Sequence, residues 1–274
     1  MTSVNIIQKM GNIDKRLLYI LLALVLLIPM VSPLGLPISI SDATRQSFDA
    51  IDELGAKDTV IVDFGYYVDG APDVEPIVIP IFKQLFSRGV KIVALGMKDH
   101  APMLADKLFK PYEDSKTYGT DYVNLGYLAG AETALAAWSK DLKKAFPRDT
   151  RGNPTSGLPI LDNINGAADA DMYIFFTDSA ADEWVRQLGQ YNIPLVAGLI
   201  TVVAPQAEPF LASGQLRGLL AGLRSAAEYE LLMGEPGSAA AAMDAQSVGH
   251  LLLILFIVFG NVSYFASKRR EAAL

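Results

Sequence analysis

TVIVDFG, residues 59–65, sets the fold: Thr59, Val60, Ile61 and Val62 are β-branched in a row, one carboxylate follows at Asp63, and the run closes at Gly65. A continuous apolar run, rather than strict alternation, is the pattern of a strand covered on both faces, as in a parallel sheet. VKIVAL, residues 90–95, repeats the pattern and also ends in a glycine, Gly96. Between them, after a proline-punctuated stretch over 72–80, the amphipathic IFKQLFSR of residues 81–88 stops at Gly89. Strand, helix and strand in that order form a βαβ unit.

The same alternation continues toward the C-terminus. Pro102 suits the first turn of a helix over 101–109. YVNL at 122–125 reads as a strand, and 130–146 as a helix with Leu135, Trp138 and Leu142 on one face. Residues 147–166, rich in Pro, Gly and Asn, read as a long surface loop. MYIFFT at 172–177 and LVAGLI at 195–200 are two further strands, with a helix over 180–191 between them. Five strands alternating with helices predict a three-layer, Rossmann-like α/β domain with a mainly parallel sheet, and a flavodoxin-like strand order is expected. A last helix is expected over 209–233, where Gly214, Gly218 and Gly222 recur every four residues. That spacing puts them on one helical face, for close packing on the sheet or for contact with another subunit. Toward the N-terminus, Ser41 and Asp42 read as a cap before the apolar stripe of Phe48, Ile51 and Leu54.

Two apolar segments bracket this domain. LLYILLALVLLIPMV, residues 17–31, lies behind Lys15 and Arg16; VGHLLLILFIVFGNVSYFA, residues 248–266, precedes Lys268, Arg269 and Arg270. Each approaches the roughly 20 residues that cross a bilayer core. The cationic flanks lie at the chain ends, so both termini are expected in the cytoplasm and the domain outside it. The resulting division is a cytoplasmic tail over 1–14, a transmembrane helix over 15–34, an extracytoplasmic domain over 35–237, an alanine-rich extension and transmembrane helix over 238–267, and a basic tail over 268–274. A cleaved signal peptide is the rival for the first segment. Its apolar core is long for that role, and the Pro29, Pro33 and Pro37 that follow offer no clean small-x-small cleavage site, which favours retention.

Composition excludes several classes. Cysteine is absent, which removes disulfides, thiolate metal centres and cysteine nucleophiles. The net charge of −7, with basic residues gathered at the two ends, leaves an acidic domain poorly suited to nucleic acid or anionic lipid. No strand leads into GxGxxG or GxxxxGK[ST], no GxSxG elbow exists, and the histidines are His100 and His250. No cofactor and no catalytic residue is therefore expected.

In open α/β sheets ligands bind beyond the carboxyl ends of the strands. Those ends supply Asp63, Gly65, Asp99, His100, Asp178, Ser179 and Thr201 as candidate ligand-binding residues. Asp63, Asp99, His100 and Asp178 would suit a divalent ion if they converged. Asp99, Asp178 and Ser179 also suit the plainer role of helix caps, which is the favoured reading for them. Tyr66, Tyr67 and Tyr118, in or beside loops, are candidate contact residues with Gly214, Gly218 and Gly222, because tyrosine offers a rigid surface with one polar tip. The expected function is a membrane-anchored scaffold or interaction subunit that assembles with itself or a larger membrane complex. A tethered small-ligand sensor and a metal-assisted hydrolase are the alternatives.

Overall fold

The computed structural model describes residues 14–271. All of the expected tail over 1–14 except Asp14, and residues 272–274 of the expected basic tail, lie outside the described residues. The chain divides into two compact units: residues 38–236, and the residues up to 37 together with those from 237 onward.

In the first unit, β1 (Thr59–Gly65), β2 (Lys91–Gly96), β3 (Tyr122–Tyr127), β4 (Met172–Thr177), β5 (Leu195–Leu199) and β6 (Gly218–Ala221) form one sheet, every pairing parallel. Every residue of β1, β4 and β5 is buried, as their unbroken apolar runs require. The order is β3-β2-β1-β4-β5-β6, so the fold is α/β and Rossmann-like. The flavodoxin-like order expected from the sequence is corrected. After edge strand β3 the chain returns to the centre and lays β4 beside β1, making two halves that wind outward from one seam.

The segment Lys15–Val31 is α1. In the α/β unit, α2 (Asp42–Asp52) starts where expected, with Ser41 Oγ accepting from Thr44 N at 3.3 Å. Helix α3 (Ala71–Ser87) begins ten residues before the expected start and carries Pro76 and Pro80 inside it. An interior proline costs about 3 kcal/mol. Burial of Val74, Ile77, Val78, Ile81, Phe82 and Leu85, at roughly 2 kcal/mol each, outweighs that cost. Helix α4 (Ala101–Phe109) matches its expected span.

The helix expected over 130–146 is instead two, α5 (Glu132–Trp138) and α6 (Leu142–Ala145). The interruption is tertiary: Leu142 N donates to Asn165 O at 2.6 Å and Ala167 N donates to Ser139 O at 2.9 Å. The stretch 147–166 is likewise more than a surface loop, since Leu158, Ile160, Leu161 and Ile164 are buried in the core. It covers one face of the sheet with α5, α6, α7 (Asp182–Leu188) and α8 (Ala204–Ala212). On the opposite face Phe64 meets Phe82 of α3 on one side and Phe176 of the neighbouring strand on the other.

The helix expected over 209–233 does not exist as one element. Helix α8 ends at Ala212, Gly214 turns the chain at φ +78°, Gly218 opens β6, and Gly222 at φ +59° opens α9 (Gly222–Leu232). The three glycines therefore share no helical face. Gly218 lets β6 close on α2, because a Cβ there would stand 2.7 Å from Ser47 Cα.

The second unit pairs α1 with α10 (Ser238–Glu271). Within α10, Ser238–Phe265 is long and apolar enough to span a membrane. At 17 residues, α1 is about 25 Å long against a hydrocarbon core of roughly 30 Å. One spanning helix thus meets the length requirement among the described residues, where the sequence led us to expect two. The alanine-rich stretch from Ser238 is continuous with that helix.

Candidate functional site

The seam between β1 and β4 is the point from which the two halves of the sheet wind, and the loops at its carboxyl edge hold most of the candidate residues. The β1–α3 loop carries Tyr66 and Tyr67, the β2–α4 loop Lys98, Asp99 and His100, and the β4–α7 loop Asp178 and Ser179. Tyr67 is the hub. Its backbone N–H donates to Asp178 Oδ2 at 2.8 Å, Lys98 Nζ lies 4.2 Å from its ring centre, and the His100 ring meets it edge-on at 5.4 Å. Lys98 Nζ also lies 3.7 Å from Asp178 Oδ1, and His100 Nδ1 lies 2.7 Å from Asp99 Oδ1.

None of Asp99, Asp178 and Ser179 caps a helix by side chain, contrary to expectation. The residues before α4 and α7 are His100 and Ala181, neither with a side-chain cap bond. Ser179 Oγ donates to Asp178 Oδ1 at 3.0 Å and its N–H donates to Thr177 Oγ1 at 3.0 Å, which turns both residues into the seam. Thr201 sits apart, its N–H donating to Asp73 Oδ2 at 2.6 Å in the first turn of α3.

Asp63 lies beneath this surface rather than in it. One carboxylate oxygen accepts from Tyr173 OH and Trp184 Nε1, both at 2.7 Å, and Oδ1 has no hydrogen-bond partner. Burial pushes its pKa up to about 6, against the opposing pull of Trp184, Tyr173, the Met97 amide and Lys98. Gly65 is required by packing, since a Cβ would stand 2.8 Å from Trp184 Cζ2. Asp63, Asp99, His100 and Asp178 therefore do not converge on one point, and no group of three His, Asp or Glu side chains suited to a metal occurs among the described residues.

One amide that would face an anion in a dinucleotide fold is taken by the chain itself. At a seam of this kind the amides of the first strand–helix loop and the start of its helix would face a phosphate. Here Asp178 takes the Tyr67 amide and packs against Gly70, while the Asp73 carboxylate, in the first turn of α3, turns to the Thr201 N–H and hydroxyl.

The tyrosines divide by exposure. Tyr66, expected at a contact surface, is fully buried, and burial raises its hydroxyl pKa. Tyr118 is half-buried under the Arg151 guanidinium, 3.6 Å from its ring centre. Tyr67 remains exposed at 41 %. The large exposed apolar side chains of the α/β unit are Tyr67, Val68, Ile79, Met103, Tyr127 and Val202. All but Ile79 lie at the carboxyl edge: Tyr67 and Val68 after β1, Met103 in the first turn of α4, Tyr127 at the end of β3, and Val202 after β5. Sequence reasoning missed Met103, Val202 and the cation Lys98. Proximity to strand ends was the available signal, but single apolar residues in loops carry no pattern.

A cavity of about 780 Å³ opens at the opposite, amino edge, between α7, the start of β5 and the α8–β6 turn. Its two guanidiniums are each engaged by a carboxylate, Arg186 by Glu132 at 2.6 Å and Arg217 by Glu53 at 3.3 Å.

No family model, curated protein or solved structure matches this chain.

Proposed function

We propose that the protein is a membrane-anchored interaction subunit. In this reading α1 and α10 hold the α/β unit outside the cytoplasm, with both chain ends inside, and the carboxyl edge of the sheet binds an apolar surface of a protein partner, either a second copy or a subunit of a larger membrane complex.

One observation carries the reading. Exposed apolar side chains are concentrated along the carboxyl edge, from Tyr127 at β3 to Val202 beyond β5. Four strand spacings separate those two strands, about 19 Å. An aromatic and aliphatic row with Lys98, Asp99, His100 and Asp178 among it has the composition of an interface centre with polar surroundings. The Asp178 carboxylate, held on the Tyr67 amide at the seam, weighs against a nucleotide phosphate at the same place.

The test is the native mass of the full chain extracted in mild detergent, beside a Tyr67→Glu, Val202→Glu double variant. The wild type is expected in an assembly above the 29.6 kDa of one chain. The variant is expected to dissociate, with affinity reduced roughly 30-fold or more, as for loss of an interface anchor, and with an unchanged circular dichroism spectrum. A wild type that runs as a single chain, or an assembly indifferent to the double variant, would refute the reading.

A further inference from the structure

We infer that residues 15–37 are a permanent part of the folded protein, latched onto the C-terminal helix by Asp244. The inference rests on the anchored reading above only in taking the α1–α10 pair to sit in a membrane.

Asp244 lies one turn or so before the most apolar part of α10 and is only 3 % exposed. A carboxylate so placed is costly unless its lone pairs are met. Three consecutive backbone amides meet them: Leu34 N and Gly35 N donate to Oδ2 at 2.8 and 2.9 Å, and Leu36 N donates to Oδ1 at 3.1 Å. Such a concave run of N–H groups around one anion is a nest, and its bonds are charge-assisted.

The local sequence PLGLP builds this nest directly. Pro33 and Pro37 have no N–H and fix their own φ, so the three residues between them supply every amide donor of the strap. Gly35 takes φ +66°, the left-handed region, with open space where a Cβ would be. Glycine is needed there for backbone curvature and not for room.

A second contact lies further along the pair. A Cβ on Gly249 would stand 2.8 Å from Leu26 Cδ2, so the missing side chain lets α1 approach α10 closely. Residue 34 meets residue 244 and residue 26 meets residue 249, so the two helices run antiparallel. The short α1 is thus held by a packed partner and a buried ionic latch at its exit, which a cleaved leader would not need.

The experiment is hydrogen exchange, read by mass spectrometry, on the full chain in lipid nanodiscs, with the intact mass of the protein from its native membrane. Within 33–37 the labelled amides are those of Leu34, Gly35 and Leu36, isolated by difference between overlapping peptides that begin upstream of Pro33. Those amides are expected to exchange slowly in the wild type and at least about tenfold faster in Asp244→Ala, with Asp244→Asn between the two. The intact mass is expected to include residues 15–37. Fast exchange in the wild type, an Asp244→Ala variant with unchanged protection, or a mature chain lacking α1 would each overturn the inference. If the assembly test fails while the strap stays protected, only the interaction reading falls.

Discussion

Asp63 shows how one residue in a strand acquires properties that its neighbours in sequence do not announce. Its carboxyl is ringed by Tyr173 from β4, Trp184 from α7, and Met97 and Lys98 from the loop after β2. With a folded pKa of about 6 against an ordinary 3.8, the folded state binds the proton more tightly than the unfolded chain. Its contribution is fully present below the unfolded value and is lost as pH rises through about 6, a change of ~3 kcal/mol at most. Stability measured from pH 4 to 7 on the full chain should fall by up to that amount relative to Asp63→Asn, in which the titration is absent. Equal pH profiles for the two proteins would mean that Asp63 does not titrate in this window. Gly222 offers a test independent of charge. At φ +59°, with a Cβ position that collides with Thr201 and stands 2.8 Å from Asp73 Oδ1, Gly222→Ala should destabilise the α/β unit by about 3 kcal/mol. A thermal unfolding midpoint equal to that of the wild type would refute this account of the junction.

At the scale of elements, local signals succeed where a helix end is fixed by its own residues and fail where a partner decides. Ser41 starts α2 by capping Thr44 N, and it also donates through its hydroxyl to Glu228 Oε2 at 2.7 Å. Burial raises the Glu228 carboxyl, but the Ser41 hydroxyl, Thr44, the Ser41 amide and Arg224 together bring it below its ordinary value. Ser41→Ala should therefore cost about 1 kcal/mol for the cap, with a further increment for the carboxylate left short of a donor, as read by chemical denaturation. Loss of less than half that amount would show the cap to be dispensable. The prolines of α3 mark the opposite case. A reading by punctuation ends helices at proline, yet the apolar positions from Val74 to Leu85 continue through them, and their burial is a tertiary gain. The four-residue glycine spacing failed similarly: Gly214, Gly218 and Gly222 perform a turn, a close strand contact and a left-handed junction, three roles that share only the lack of a side chain.

For the whole molecule, the sheet's carboxyl edge unites residues from five strands and their loops, and the assembly test above is directed at that edge. The expected site was legible as a region, because ligands and contacts in α/β folds gather at strand ends, but its membership was not. Asp178 and Tyr67 are 111 residues apart and meet only because β4 returns to lie beside β1. Strand order depends on which crossovers bury the most apolar surface, and that is a property of the packed whole. The class of fold, five of the sheet's six strands, the cap at Ser41 and two apolar segments at the ends were legible from local residues, since each follows from propensity and periodicity over a few neighbours. The order of the sheet, the sixth strand, the burial of Tyr66 and Asp63, the exposure of Val202 and Met103, and the three amides on Asp244 came from packing, since each depends on contacts between residues that lie far apart along the chain.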